Sequence, residues 1–420
     1  MSKTVSIALA FVGLLVGAGF ATGAEVIQYF VSFGIPGLIG AVIAGIIMAA
    51  AGAVIFGLGS FFLADEHNKV FRNVSHPVMS KILDIAVTLT LFAIGFVMLA
   101  GAGSTLEQQW GIPSWIGAGV MALLVIGVGL LDVDKVSAVI SWLTPLINVA
   151  VVGVFIYSML NLPDTPISEL SEIAAEAESP VSPWWLSAIN YNGLALLLGV
   201  SMSLVIGGDH SNPTAAFRGG LFGGLLYTVL LVMAAVVLFL NFEAVGEADV
   251  PMLALYDNIS PILSTIMVLI IFAMIFNTSI GMFYALGRRL SASNNSRYRR
   301  WFIGATLAGY AVSFVGFDSL MTYVYPALGY TGIVVIGLLC VWYIRHRSLI
   351  NEEHERRVRM TELVESREHP ERDFTEEHAH ELKTLAKEST LPGEQVTETV
   401  TGEVEAKLLA DDSIDYDGRS

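Results

Sequence analysis

The sequence predicts an all-α polytopic membrane protein whose ten transmembrane helices form two inverted sets of five. Three observations lead there. Of 420 residues, 54% are hydrophobic and 14% charged, with a mean hydropathy of +0.67, where a soluble domain carries about one quarter charged residues. Apolar runs of membrane-crossing length recur ten times along the chain. Laid out alternately across a bilayer, those runs put all 13 Lys and Arg residues that precede the polar tail on one side.

The runs span approximately 5–32, 35–63, 79–103, 114–131, 137–160, 184–207, 215–240, 258–287, 301–316 and 319–344. The basic side receives Lys3, Lys69, Arg72, Lys81, Lys135, Arg218, the cluster from Arg288 to Arg300, Arg345 and Arg347. Loops on the other side, such as "NLPDTPISELSEIAAEAESPVSP" and "NFEAVGEADVP", hold no basic residue. The basic side is read as cytoplasmic, so both termini are expected there and the protein is a multi-pass protein of the cell membrane. The long outer loop, with a short helix expected over 167–178, divides the ten crossings into five and five. Because five is odd, a second set built like the first must enter the bilayer upside down. That is the arithmetic of an inverted repeat, common among secondary transporters.

The first run begins like a signal peptide, but its apolar core continues to Val31, so it reads as an uncleaved signal-anchor helix. The single cysteine, Cys340, lies in an apolar run and reads as a small packed hydrophobe; it supports neither a disulfide nor a thiolate metal site. Residues 1–350 form the expected membrane domain. Residues 351–420 form an acidic cytoplasmic tail with a balance of −11 out of a net −16. A solvated helix is expected in "NEEHERRVRMTELVE", and the rest of the tail reads as largely disordered. The acidic balance disfavours a nucleic-acid partner.

The first run contains "VGAGFATGAEVIQYF", Val16 to Phe30. Glycines at 13, 17, 19 and 23 permit close helix packing through a GxxxG pair, Gly13 with Gly17, or a local break. Packing accounts for that pair but leaves Gly19, Thr22, Gly23 and Glu25 unexplained. A discontinuous helix accounts for all of them, with the inner half ending near Val16 and the outer half starting near Ala21. Backbone freed in this way exposes carbonyls at one end and N–H groups at the other, suited to a cation and an anionic group respectively. Glu25 then serves as a cation or proton partner, as a gate, or as a cap-like charge reaching an outer vestibule.

The sixth run should mirror the first. Asn190, Tyr191, Asn192 and Gly193 interrupt it and are expected to replace lost backbone hydrogen bonds and contact a ligand, while Trp184 and Trp185 anchor the interface. The eighth run carries Asn277, Thr278 and Ser279, oxygen-bearing side chains of the kind that coordinate a hard cation such as sodium. The histidines His67, His76 and His210 lack a nucleophile constellation or metal-spaced partners, so no enzyme is expected.

"VGAGFATGAEVIQYF", "INYNGLALLLGVSMSLVIGGD" and "NTSIGMFYALGRR", together with the ten-crossing layout, resemble the YkvI-type membrane proteins over about residues 4–345. That family is grouped with amino-acid permeases of the amino acid–polyamine–organocation superfamily, which implies a LeuT-like fold with helices one and six discontinuous. The resemblance implies sodium held by the carbonyls of Gly13 and Val16 with Asn277, Thr278 and a further carbonyl at Met274. It implies substrate contacts at Gly17, Ala18, Gly19, Ala21 and Thr22, at Asn190, Tyr191, Asn192 and Gly193, and at Phe92 or Phe96 on the third helix. Such families place paired hydroxyls on helix eight, so Thr278 with Ser279 is the alternative pair, and a proton is the alternative to sodium.

The expected function is alternating-access transport of a small zwitterion or amine, foremost an amino acid, by sodium symport and without a cofactor. The rival reading is a membrane sensor that keeps the ligand pocket and signals through the acidic tail.

Overall fold

The computed structural model describes residues 3–130, 143–291, 295–410 and 416, and every regular element among them is helical. The beginning of the fifth expected run, with Lys135, lies outside the described residues, as does most of 411–420.

The first run is not one rod. It consists of α1 (Lys3–Leu15), α2 (Ala18–Thr22) and α3 (Ala24–Tyr29), closed by a 3-10 turn at Val31–Phe33. There follow α4 (Ile35–Phe62), the short α5 (His67–Val74), α6 (Pro77–Trp110), α7 (Ser114–Gly129) and α8 (Leu143–Leu160). The outer loop holds α9 (Ile167–Ala175), which turns Leu170 and Ala174 inward. The second half runs through α10 (Trp184–Gly208), α11 (Pro213–Leu240), the single turn α12 (Phe242–Val245), α13 (Pro251–Ile259), α14 (Pro261–Leu290), α15 (Asn295–Ser313) and α16 (Phe317–Arg345). Proline in the first turn starts α4, α6, α11, α13 and α14, where its missing N–H costs no helical bond. Among the described residues, α4, α6, α10, α11, α14 and α16 are long and apolar enough to cross a membrane; Lys3–Leu15, Ser114–Gly129 and Pro145–Leu160 are shorter apolar helices.

Two groups of helices pack together. One joins α1, α4, α10 and α11; the other joins α6, α7, α14 and α15; α16 lies against α10 and also meets α6. The first group depends on small residues. A Cβ at Gly220 would fall 2.6 Å from the Gly52 carbonyl oxygen, and one at Gly224 would fall 2.4 Å from the Ala49 Cα, so α11 and α4 meet backbone to backbone. In hydrocarbon this is the main attraction available between helices, because the lipid itself is apolar.

Beyond the membrane helices, the tail is folded, contrary to the expectation of disorder. It forms α17 (Arg347–Glu368), α18 (Glu376–Glu388) and α19 (Gly393–Leu409). Met360, Leu363 and Val364 of α17, Leu382 of α18, and Val396, Val400, Val404 and Leu408 of α19 share an apolar cluster with Leu63. The physical reason is the four-residue spacing of the α19 apolar residues, which gives a polar segment one continuous greasy stripe.

This unit is bonded to the end of the bundle where the N-terminus also lies. Arg357, 1% exposed, donates to the Ser60 and Phe61 carbonyls at 2.8 Å each and to Glu353 at 2.8 Å. Those carbonyls belong to the last turn of α4, where helical partners run out; that of Ser60 also accepts from the Leu63 N–H at 3.1 Å. Glu403 accepts from Lys3 Nζ at 2.8 Å and from the Ser211 N–H at 3.0 Å, and it also binds the Ser211 hydroxyl. Burial acts to raise the Glu403 pKa, but hydrogen bonds from His210, Lys3 and Ser211 outweigh it and bring it from 4.5 down to about 2.

A folded pKa below the unfolded one means that this stabilisation is complete above pH 4.5 and is lost as pH falls toward 2. Hydrogen exchange of α19 amides, corrected for intrinsic rate, is expected to lose protection across that window. In Glu403→Gln the protection should start lower and show no such step.

Candidate solute and cation site

The break in the first run follows from where one N–H points. The Val16 N–H still donates to Val12 at 2.8 Å, but the Gly17 N–H turns to Leu15 at 2.9 Å. A continuous helix would have given it the Gly13 carbonyl, which is therefore released from that role. Gly17 is extended, at φ −93° and ψ −176°, and α2 restarts with Ala21 N–H donating to Gly17 at 3.1 Å. A second break at Gly23, in the left-handed region at φ 79°, separates α2 from α3. A Cβ at Gly13 or at Gly17 would meet nothing within 4 Å. Neither glycine serves close helix packing; both face open space.

That space is a cavity of about 250 Å³ between the two helix groups. The split segment lines it with Gly13, Val16, Gly17, Ala18 and Gly19, and with Glu25 from α3. From α14 come Met274, Asn277 and Thr278, one face of that helix. Opposite stand Ile94 and Met98 of α6, Ala195, Leu198 and Gly199 of α10, and Tyr325 of α16. Glu25 is buried and accepts a hydrogen bond from the Tyr325 hydroxyl. Its carboxylate lies directly over α2, since a Cβ at Gly19 would fall 1.6 Å from Glu25 Oε1. Any larger residue at 19 would displace the carboxylate. A second pocket, about 360 Å³, is lined by Ala24, Ile27 and Gln28 of α3 and Met321 and Thr322 of α16, with Glu178, Glu247, Asp249 and Asp318. Glu25 and Tyr325 therefore lie in the layer of α3 and α16 between the two spaces. Asp84 is bonded to Arg289, with the His67 ring 3.7 Å away.

The sixth run departs from expectation. α10 is helical without interruption from Trp184 to Gly208, so the break expected around Asn190–Gly193 is absent. Asn190 and Tyr191 find partners on neighbouring helices and Asn192 bonds within α10, so no backbone bond has to be given up. Asn190 donates to the Pro326 carbonyl at 3.0 Å and accepts from the Tyr29 hydroxyl at 3.1 Å. The Tyr191 hydroxyl pairs with that of Tyr227, and Asn192 donates to Ala188 at 3.0 Å. Gly193 meets α16, where a Cβ would fall 2.0 Å from the Gly329 carbonyl oxygen. None of the four lines the cavity; Asn190, Tyr191 and Gly193 fasten α10 to α16, α11 and α3.

Ala21 and Thr22 are also buried away from the cavity, with the Thr22 hydroxyl on the Gly19 carbonyl at 2.7 Å. Phe92 lines a separate groove beside Trp301, and its ring meets Phe96 at a centroid distance of 5.3 Å. Ser279, buried, does not line the cavity beside Asn277 and Thr278. Tyr325 was missed from sequence, although a tyrosine directly before Pro326 in mid-helix was a signal.

Because the α10–α16 seam is backbone against backbone, Gly193→Ala should lower the thermal midpoint by about 3 °C or more. Gly337→Ala, where a Cβ meets nothing within 4 Å, should leave it unchanged in the same calorimetric scan.

An all-helical bundle with its first helix split beside a central cavity is similar in fold to LeuT-like structures. The inward-facing conformation of Mhp1 superposes with a TM-score of 0.53 at 14% identity, over 82% of this chain and 77% of that one. No family model matches the sequence. Among curated proteins, the uncharacterized membrane protein YkvI of Bacillus subtilis (strain 168) is 29% identical over 350 residues, 82% of this chain and 97% of its own length. The uncharacterized protein YyaD of the same organism is 22% identical over 338 residues, 80% of this chain and 96% of its own. The chain is thus similar to these two relatives over nearly their whole length.

Proposed function

We propose that this protein is a secondary active transporter that works by alternating access. Its ten crossings would form two inverted sets of five, with both termini in the cytoplasm. The solute is a small zwitterion or amine, foremost an amino acid, moved through the cell membrane together with sodium. The observation that carries this reading is the cavity at the break in the first helix, bounded by an oxygen-bearing face of α14 and a buried carboxylate. Main chain at bilayer depth leaves its helix only where protein or a water-filled cavity receives it, and split helices are the usual binding device of such transporters.

In this reading the released Gly13 carbonyl, with Val16, Met274, Asn277 and Thr278, supplies the oxygens a sodium ion needs. Gly17, Ala18 and Gly19 border the solute. Glu25 with Tyr325, set between the inner and outer spaces, couples or gates.

The test is paired. A panel of amino acids and amines is screened for thermal stabilisation of the purified protein with and without sodium, and each hit is then assayed for flux in proteoliposomes. Sodium-dependent binding accompanied by flux is expected. Binding without flux would favour the sensor reading, for which the folded C-terminal unit bonded to the bundle is the specific observation.

A further inference from the structure

We propose that the C-terminal three-helix unit is a brace that holds the inner segment of the split helix in place and so restrains opening of the cavity toward the end carrying both termini. α1 is the part of the first run free to move as a lever, because the extended Gly17 leaves its end unconnected to α2 by helical bonds. At its far end, Lys3 is held at 2.8 Å by Glu403 of α19. The same carboxylate holds the α10–α11 joint through the Ser211 N–H at 3.0 Å and the His210 ring at 3.5 Å. α17 grips a third helix, with Arg357 taking the last carbonyls of α4. Since α17 and α19 share one apolar cluster, these grips belong to a single folded body.

α1 therefore cannot swing away from α4 and the α10–α11 joint without breaking the Lys3–Glu403 pair or carrying the whole unit with it. Lys3 is 45% exposed and Glu403 13% exposed, so the hold on α1 is a half-exposed ammonium seated on a carboxylate that Ser211 and His210 fix in place. Rates of opening at this end are thus set by a segment remote from the cavity, and any factor that releases the unit accelerates them. The consequence for flux rests on the transport reading; the restraint on α1 does not.

The test is hydrogen exchange of the full-length protein in detergent, read on peptides covering 4–17, the C-terminal helices and, as control, α13. Glu403→Gln and, separately, Arg357→Met should speed exchange of 4–17 about tenfold, the equivalent of about 1.4 kcal/mol, with α13 unchanged. Lys3→Cys with Glu403→Cys in a Cys340→Ser background, joined by a short bis-maleimide, should slow it below the native rate. Faster exchange of the C-terminal helices with 4–17 unchanged would overturn the brace, as would no change anywhere in both variants. No solute enters this measurement, so its failure is separate from failure to transport. Where flux is measurable, initial uptake should rise in Glu403→Gln and fall in the cross-linked protein.

Discussion

Valine at position 17 should leave the protein folded and remove transport. Gly17 is extended at φ −93° and ψ −176°, a conformation β-branched residues adopt readily, and a Cβ there meets nothing within 4 Å. The fold therefore has no need of glycine at this position. The cavity does, because it is only about 250 Å³ and the new methyl groups project into it from the break itself. Initial uptake by Gly17→Val is expected to fall by about 100-fold or more, about 2.7 kcal/mol of lost stabilisation, with an unchanged thermal midpoint. Native uptake by this variant would mean that the solute passes elsewhere.

The second large effect concerns the cation. Asn277→Leu combined with Thr278→Val removes two side-chain oxygens from the α14 face of the cavity while keeping side-chain size nearly the same. Hard cations lose affinity steeply when neutral oxygens are withdrawn and not replaced. The sodium concentration giving half-maximal uptake should rise about 100-fold or more, corresponding to about 2.7 kcal/mol. Ser279→Ala, whose side chain does not line the cavity, should leave the sodium dependence as it is. Loss of sodium dependence in Ser279→Ala but not in the double variant would reassign the site to the alternative pair.

Much of this architecture can be read in the amino-acid sequence because the bilayer imposes strong rules. Apolar runs of spanning length follow from it, and the glycines at 13, 17, 19 and 23 signalled a break because nothing else explained them with Glu25. The sixth run misled for an instructive reason. Asn190, Tyr191, Asn192 and Gly193 are as unusual in hydrocarbon as the first set, and one sequence does not say whether polar groups in a helix answer a ligand or another helix. Here Asn190 answers Pro326 and Tyr29, and Gly193 answers Gly329, so the backbone stays whole. Composition likewise hid the folded tail. Its acidic balance suggests disorder, yet Val396, Val400, Val404 and Leu408 recur every four residues and close a core with Met360, Leu363, Val364, Leu382 and Leu63. Tyr325 was harder to read for a different reason, since its pairing with Glu25 spans 300 residues and its place before Pro326 is the one local mark it carries.

The central claim is that the cavity beside the split helix carries a solute across the bilayer at the expense of a sodium gradient. The most direct measurement is accumulation of labelled amino acids and amines in proteoliposomes under an imposed inward sodium gradient, against protein-free vesicles. Transport predicts at least one solute rising above its equilibrium level and falling back when a sodium ionophore collapses the gradient. Levels that never exceed equilibrium for any member of the panel would contradict it.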